Sequence, residues 1–120
     1  MHELKIKRIY EETSDTDGSR VLVDRLWPRG IKKEAAKLTA WWKNVSPSNE
    51  LRKWYAHDHA KFVEFSERYR AELENYSDKE KLLAEVREIL AAGNLTLVFA
   101  AKDERENNAV VLAEWLKDKI

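Results

Sequence analysis

The fold of this chain is decided by the stretch Arg20-Val21-Leu22-Val23-Asp24-Arg25-Leu26-Trp27-Pro28-Arg29-Gly30. Its aliphatic run predicts a short buried strand, which leads directly into the charged pair Asp24-Arg25. Because Pro28 fixes its own φ and cannot continue a ladder of hydrogen bonds, the chain should leave the sheet there, with Arg29 on the exit. A buried strand therefore brings charged side chains to one place, where an anionic group could bind.

The composition is that of a globular protein with a heavily charged surface. Of its 120 residues, 43% are hydrophobic and 37% are charged, which indicates one domain over residues 1–120. The longest apolar run is far too short to cross a bilayer, and the first residues lack the regions of a signal peptide. The chain has no cysteine, which excludes disulfides, a thiol nucleophile and a cysteine metal site. We expect a cytoplasmic protein without a membrane partner.

The charges are balanced over the whole chain but not along it. Lysine and arginine together number 22, as do aspartate and glutamate, whereas nucleic-acid-binding proteins usually carry a basic excess. Residues 20–37 nevertheless hold six basic and two acidic side chains. This basic patch, with Trp27 available for stacking on a base, makes a nucleic-acid accessory module the alternative hypothesis for function.

Hydrophobic spacing predicts three strands and an irregular helix. The strands should lie over residues 3–10, 20–23 and 95–101, and the last is an unbroken apolar run typical of a central strand covered on both faces. The first two either form a hairpin with a long loop or lie apart in the same sheet. Residues 31–45 have helical spacing interrupted by adjacent tryptophans, which favours a short or irregular helix.

Further helices have capping signals. Their starts are predicted at Ser48, at Asp58, at the capping box Ser77-Asp78-Lys79-Glu80, and at Asp103 with Glu106 in the box position. The last helix should bury the face formed by Ala109, Leu112, Ala113, Leu116 and Ile120. The order of elements predicts an α/β fold with a small, mixed or mostly parallel sheet of about three or four strands, covered by helices in Rossmann-like layers. With only three glycines, the chain has neither a P-loop nor a dinucleotide fingerprint.

Two strand exits carry the candidate binding residues. In α/β sheets, ligands bind outside the carboxyl ends of strands, and here one strand leads into Asp24-Arg25 and another into Lys102-Asp103. Parallel neighbouring strands would bring both exits to one cavity for a small anionic ligand, phosphate-like or nucleotide-like. The alternative is that the charges form structural ion pairs in a domain that serves structure or partner binding. The candidate ligand-binding residues are Arg20, Arg25, Trp27, Arg29, Lys102, Asp103 and Asn107.

Few residues point to catalysis, to a metal or to a cofactor. Asp24 would hold an arginine in place or, with a raised pKa, act as a base, and His57 is the other candidate for proton transfer. His57 and His59 are two residues apart and face different ways on a helix, and no carboxylate near them along the chain completes a metal site. We therefore predict no metal and no cofactor. Both an enzyme and a binding protein remain as hypotheses.

A resemblance to a known family rests on the stretch quoted above together with Ser46-Pro47-Ser48, His57-Asp58 and Ala101-Lys102-Asp103-Glu104. In these segments the chain resembles the YeaO-like bacterial proteins of the domain-of-unknown-function family numbered 488, and the resemblance spans nearly the whole chain. It implies a compact α/β domain in the cytosol of a bacterium or archaeon, and it lends no activity. Other branches of that family carry cysteines near the last strand exit, so a thiol mechanism does not carry over to this chain.

Overall fold

The computed structural model describes residues 2–120, and its centre is a parallel sheet of four strands in the order β1-β4-β2-β3. The first two strands lie in one sheet without pairing, because β4 lies between them, so the hairpin alternative is wrong. The α/β fold predicted from the order of elements is confirmed. The strands are β1 (Leu4–Arg8), β2 (Ser19–Leu22), β3 (Ala40–Trp41) and β4 (Leu95–Phe99).

Five α-helices surround the sheet. Short 3-10 turns at Asp15–Asp17, Lys43–Val45 and His59–Lys61 connect some of the elements. Within residues 2–120, no helix combines the length and the apolar character that a membrane crossing requires. The helices are α1 (Lys33–Ala36), α2 (Asn49–Tyr55), α3 (Phe62–Glu74), α4 (Lys79–Ala92) and α5 (Asn108–Lys119).

Strand β4 is the centre of the core, as its unbroken apolar run predicted. All five of its residues are buried. Leu97 and Phe99 belong to the larger apolar cluster, which includes the buried faces of α3, α4 and α5, whereas Val98 joins a smaller cluster with Leu22 and Ala36 on the other face. Each face of the strand therefore has its own apolar cover, which is why the sequence lacks the alternation of a strand with one face in water.

The segment over residues 31–45 differs from the predicted helix. Only one helical turn, α1, forms; Lys37 then takes a left-handed φ of 49°, and the two-residue strand β3 pairs with β2. The adjacent tryptophans explain the difference, because Trp42 is buried in the larger cluster while Trp41 is 37% exposed and contacts Trp27. Side chains of consecutive residues face opposite ways only in extended backbone.

The last helix begins four residues later than predicted. Asn107 is its cap and accepts a hydrogen bond from the Val110 amide at 2.9 Å. Asp103 instead accepts the amides of Arg105 and Glu106 in a turn before the helix, so its assignment as the cap is wrong. Along α5, the predicted buried face ends before Ile120, which is 41% exposed. At α4 the predicted capping box is wrong too, because Asp78 is the cap and makes no side-chain capping bond.

The prediction for Ser48 is confirmed, because Ser48 accepts the Leu51 amide at 3.1 Å and starts α2. Asp58 accepts the Ala60 amide at 3.0 Å, but it caps the 3-10 turn His59–Lys61 and not the long helix as predicted. Helix α3 follows at Phe62, and its cap residue, Lys61, makes no side-chain capping bond. Ser48 also donates to Glu72 in the last turn of α3, which joins the start of α2 to the end of α3. These caps fix the turn between α2 and α3, which lies beside the cleft described below.

Acid should weaken the contact between α3 and α5. Glu74 contacts Lys119, accepts from the Trp115 indole at 2.9 Å and pairs with Lys79 at 3.3 Å, and these contacts lower its pKa from 4.5 to about 2. Because the folded pKa lies below the unfolded value, the stabilisation is complete above pH 4.5 and is lost as pH falls towards 2. Urea unfolding across this range should show a shallower loss of stability in Glu74→Gln than in the parent chain. Glu88→Gln, which removes an exposed carboxylate without an ion pair among residues 2–120, should keep the parent slope, and equal slopes in all three proteins would contradict the assignment.

Candidate functional site

A cleft of about 980 Å³ opens where β2 and β4 end. These strands are parallel neighbours, with Leu22 opposite Val98, so the chain leaves both at the same edge of the sheet. The start of α5 and the turn after α2 close the other sides. Of the predicted ligand-binding residues, those that line the cleft are Arg25, Trp27, Arg29, Lys102, Asp103 and Asn107, and both candidates for proton transfer, Asp24 and His57, line it as well.

Asp24 lies at the base of the cleft and joins three elements. Its Oδ2 accepts the Ala100 amide at 2.8 Å, and its Oδ1 accepts from the Asn108 side chain at 3.1 Å. Burial raises the pKa of Asp24. The hydrogen bonds from Asn108 and Ala100 lower it and so offset part of that effect, as does the charge of His57. The carboxyl group therefore connects the end of β2 to the end of β4 and to α5.

Asn108 is a site residue that the sequence reasoning missed. Its side-chain amide donates both to Asp24 and to the Val23 carbonyl, at 2.9 Å. The only signal was the pair Asn107-Asn108 after a charged loop, and one of its members is explained as a helix cap. Asn107 itself is buried. Its side-chain oxygen caps α5 and its side-chain nitrogen donates to the Asp103 carbonyl at 2.8 Å, so both polar atoms of the side chain already bind the backbone.

The two arginines predicted together have different surroundings. Arg25 is half-buried and donates to the carbonyls of Pro47 and Ser46, at 3.0 and 3.1 Å, which fixes the loop before α2. Arg20 is only 4% exposed, pairs with Asp17 at 2.8 Å and donates to the Ala36 carbonyl. Arg20 thus lies outside the cleft lining, contrary to the expectation from sequence. The reason is that Arg20 lies near the amino end of β2, whereas the cleft opens at the carboxyl end of that strand.

Trp27 is part of the wall of the cleft. Its indole donates to the Ile31 carbonyl at 2.7 Å, and its ring meets Trp41 edge to face with 5.5 Å between centroids. The ring also packs on the smaller apolar cluster. Trp27 is therefore fixed in place while it lines the cleft, and its indole donor is already used.

Arg29 and Lys102 are exposed cations of the cleft, one on each strand exit. Within residues 2–120 neither side chain forms a hydrogen bond or an ion pair, and the same holds for Lys53 on α2, which also lines the cleft. Arg52 on α2 also lines the cleft, and its Nε is buried without a hydrogen-bond partner. Arg52 also donates from Nη2 to Asn49 at 3.3 Å, whereas Arg29, Lys53 and Lys102 make no polar contact within residues 2–120.

A histidine and two carboxylates meet at the rim of the cleft. Nδ1 of His59 lies 2.6 Å from Oε1 of Glu106 and 3.4 Å from Oδ2 of Asp103. Backbone hydrogen bonds from Glu106 and Arg105 lower the pKa of Asp103, and the charge of His59 adds to this effect. The residues near the histidines along the chain carry no sign of this group, because both carboxylates come from the distant loop between β4 and α5.

The neighbouring His57 has a different position. It is exposed, has a left-handed φ of 58° and tilts against the ring of Tyr55 at 6.0 Å between centroids. Burial raises the pKa of Tyr55, as do the negative charges of Glu106, Asp103 and Asp58. The rim around the turn after α2 is therefore acidic, and two of its carboxylates, Asp103 and Glu106, lie on the same exit of β4 as Lys102.

Comparisons with known proteins give a family and no activity. Residues 3–120 match the family model DUF488-N3i, described as the inactive DUF488-N3 subclade. The chain is 43% identical over 114 residues to the uncharacterized protein YeaO of Escherichia coli, covering 95% of this chain and 96% of that one. It is 40% identical over 116 residues to the uncharacterized protein Rv3073c of Mycobacterium tuberculosis, covering 97% and 95%. No solved structure matches the chain.

Proposed function

The chain belongs to family 488, as its resemblance to YeaO-like proteins predicted, and its family model is described as the inactive DUF488-N3 subclade; from this premise we propose that it binds a small anionic ligand without transforming it. The site is the cleft between the exits of β2 and β4. The absence of cysteine suits the reducing cytoplasm, which is where we place the protein.

The observation that carries the proposal is the pair of free cations on the two strand exits. Arg29 and Lys102 are directed to one cleft by neighbouring strands, and no carboxylate among residues 2–120 neutralises either of them. The cleft lining as a whole has five lysine and arginine side chains against three carboxylates. A guanidinium group can hold two oxygens of a phosphate or carboxylate at once, and an ammonium group adds a point charge.

The apolar part of the cleft indicates what else the ligand contains. Leu26 is 58% exposed and Tyr10 is 45% exposed, and both line the cleft beside Trp27 and Pro28. Large exposed apolar side chains at a cleft are typical of a binding surface. A volume of about 980 Å³ is at the upper end for small-molecule sites. A ligand with a flat ring and an anionic group, such as a nucleotide, fits both parts.

The lining also agrees with binding in the absence of chemistry. None of the residues that line the cleft is serine, threonine or cysteine, so it lacks the aliphatic hydroxyl and thiol nucleophiles. Asp24, the candidate base, has each carboxylate oxygen bonded to the fold. The description of the family as inactive supports the same interpretation.

The first test is a thermal-shift titration with inorganic phosphate, nucleoside monophosphates and sugar phosphates. A ligand at a hundred times its Kd should add about 2.7 kcal/mol, or roughly 10 °C in a chain of this size. The double variant Arg29→Ala/Lys102→Ala should lose that shift and keep its unliganded Tm, because neither side chain forms a hydrogen bond or an ion pair within residues 2–120. The matched control Lys81→Ala/Lys117→Ala removes the same charge from exposed positions outside the cleft and should keep the shift. No shift with any of these anions in the parent chain would refute the proposal.

The nucleic-acid hypothesis is weakened by the positions of the basic residues. Of the six in residues 20–37, Arg20 is buried in an ion pair and Arg25 is bonded to backbone carbonyls. Two results together would favour the nucleic-acid module over the small-ligand proposal. The protein would bind a single-stranded oligonucleotide with an affinity that falls steeply as salt rises, and it would not respond to mononucleotides.

A further inference from the structure

The histidine and the two carboxylates at the rim of the cleft are residue types that bind metal ions. His59, Asp103 and Glu106 each direct one donor atom to a common point, and the three atoms lie within 4.8 Å of one another. Two donors that bind one ion at about 2.1 Å are separated by about 3 to 3.5 Å. The distances of 2.6 and 3.4 Å from His59 Nδ1 to the two carboxylates require shifts of less than 1 Å to reach that geometry.

We propose that His59, Asp103 and Glu106 bind a divalent transition-metal ion, with Zn²⁺ and Mn²⁺ as the ions that suit the donors. An imidazole nitrogen favours Zn²⁺, and carboxylate oxygens are accepted by both ions. The two carboxylates face a single imidazole, which leaves surplus negative charge that a divalent cation neutralises. The chain has no cysteine to compete for the ion.

The backbone around the group positions its donor atoms. Oδ1 of Asp103 accepts the amides of Arg105 and Glu106, at 2.8 and 2.9 Å, which leaves Oδ2 for the ion. The Glu106 carbonyl accepts a hydrogen bond from the Tyr55 hydroxyl at 3.3 Å, so α2 supports the loop that carries both carboxylates. On the other side, Asp58 caps the turn that holds His59. Two separate segments are thus fixed against each other at the group.

Three protein ligands leave coordination positions open, and the group lines the same cleft as Arg29 and Lys102. An ion held there would bind an oxygen of the anionic ligand from the acidic rim, while the two cations bind from the strand exits. This second role rests on the proposed function. Metal binding itself does not, because it depends only on the three donors.

The experiment uses the full chain, freed of metal with a chelator and then dialysed. Titration with Mn²⁺ alone, followed by loss of the sharp electron paramagnetic resonance signal of free Mn²⁺, should show one bound ion per chain, and calorimetry with Zn²⁺ should show the same. His59→Ala, Asp103→Asn and Glu106→Gln should each raise the Kd more than about tenfold. Asp103→Asn is the sharpest variant, because the amide oxygen can still accept the two backbone amides while the charge and the proposed ligand atom Oδ2 are lost. His2→Ala and Glu104→Gln remove exposed groups of the same types and should leave the Kd unchanged.

Each outcome decides between the proposals. Absence of binding by the parent chain, or equal Kd values in the parent and the three variants, overturns the metal site. If Mn²⁺ binds and phosphates cause no thermal shift with or without it, the metal site stands and the anion-binding function fails. If phosphates bind equally with and without Mn²⁺ and no ion is taken up, the metal site fails and the function stands. A larger phosphate shift in the presence of Mn²⁺ supports both.

Discussion

Replacing Asp17 with alanine should destabilise the fold by about 3 to 5 kcal/mol, the cost of removing one partner from a buried ion pair. Asp17 is 1% exposed and pairs with Arg20 and Lys7, at 2.8 Å in each case. Burial alone would raise the pKa of Asp17, but hydrogen bonds from Lys7, the Ser14 amide and Arg20 bring it below its usual range. Without this carboxylate, the buried Arg20 guanidinium keeps its charge and loses its counterion, and its Nη2 already lacks a partner.

Urea unfolding at neutral pH measures this cost. Asp15→Ala is the matched control, because Asp15 lies in the same turn, is exposed and makes no ion pair among residues 2–120, so its loss should cost less than about 0.5 kcal/mol. The double variant Asp17→Ala/Arg20→Met should regain part of the loss, since both charges leave the interior together. If Asp17→Ala costs no more than Asp15→Ala, the ion pair does not stabilise the fold as described.

Gly18→Ala should cost at least about 3 kcal/mol, from backbone strain and overlap together. Gly18 has φ 64° and ψ −134°, a conformation that side chains other than glycine strongly disfavour. A Cβ there would lie 2.1 Å from the backbone oxygen of Asn94, which also accepts the Ser19 amide at 2.9 Å. The clash is with backbone at the start of β4, so it can be relieved only by moving β2 away from its partner.

Gly30→Ala separates the two contributions. Gly30 also has a positive φ, 79°. A Cβ added there would have no heavy atom of the described residues, apart from its chain neighbours, within 4 Å. We expect about 1 to 2 kcal/mol for the strain alone. Thermal or urea unfolding of both variants gives the difference, and equal losses at the two positions would show that the close approach to Asn94 is relieved without cost.

The parts of the fold that the sequence predicted are those set by local chemistry. In α3, Phe65, Tyr69 and Leu73 recur at four-residue steps, and all three are buried. The apolar run of β4 likewise indicated cover on both faces. Strand order could not be read in the same way, because the insertion of β4 between β1 and β2 depends on contacts between segments some eighty residues apart. Strand β3 has two residues, too few to show a period of their own.

In the candidate site, too, the features set by local sequence were predictable and those set by the fold were not. The exits of β2 and β4 were identifiable because charge follows directly after an apolar strand in each case. What each side chain does there was not identifiable, because Arg25 and Asn107 satisfy backbone groups that become buried only in the folded chain. The group of His59, Asp103 and Glu106 was missed for a related reason. Its histidine and its carboxylates are 44 or more residues apart, and only the fold brings them together.

The position of β4 in the sheet also governs how the protein is made. β1 and β2 both pair with β4 (Leu95–Phe99), which is translated long after β2 (Ser19–Leu22), with all of α1 to α4 in between. While the ribosome is still producing α4, the open edges of both earlier strands lack that partner, and exposed strand edges pair readily with other chains. Native assembly of the sheet therefore waits until β4 has been translated, and until then the two earlier strands have open edges that another chain could pair with.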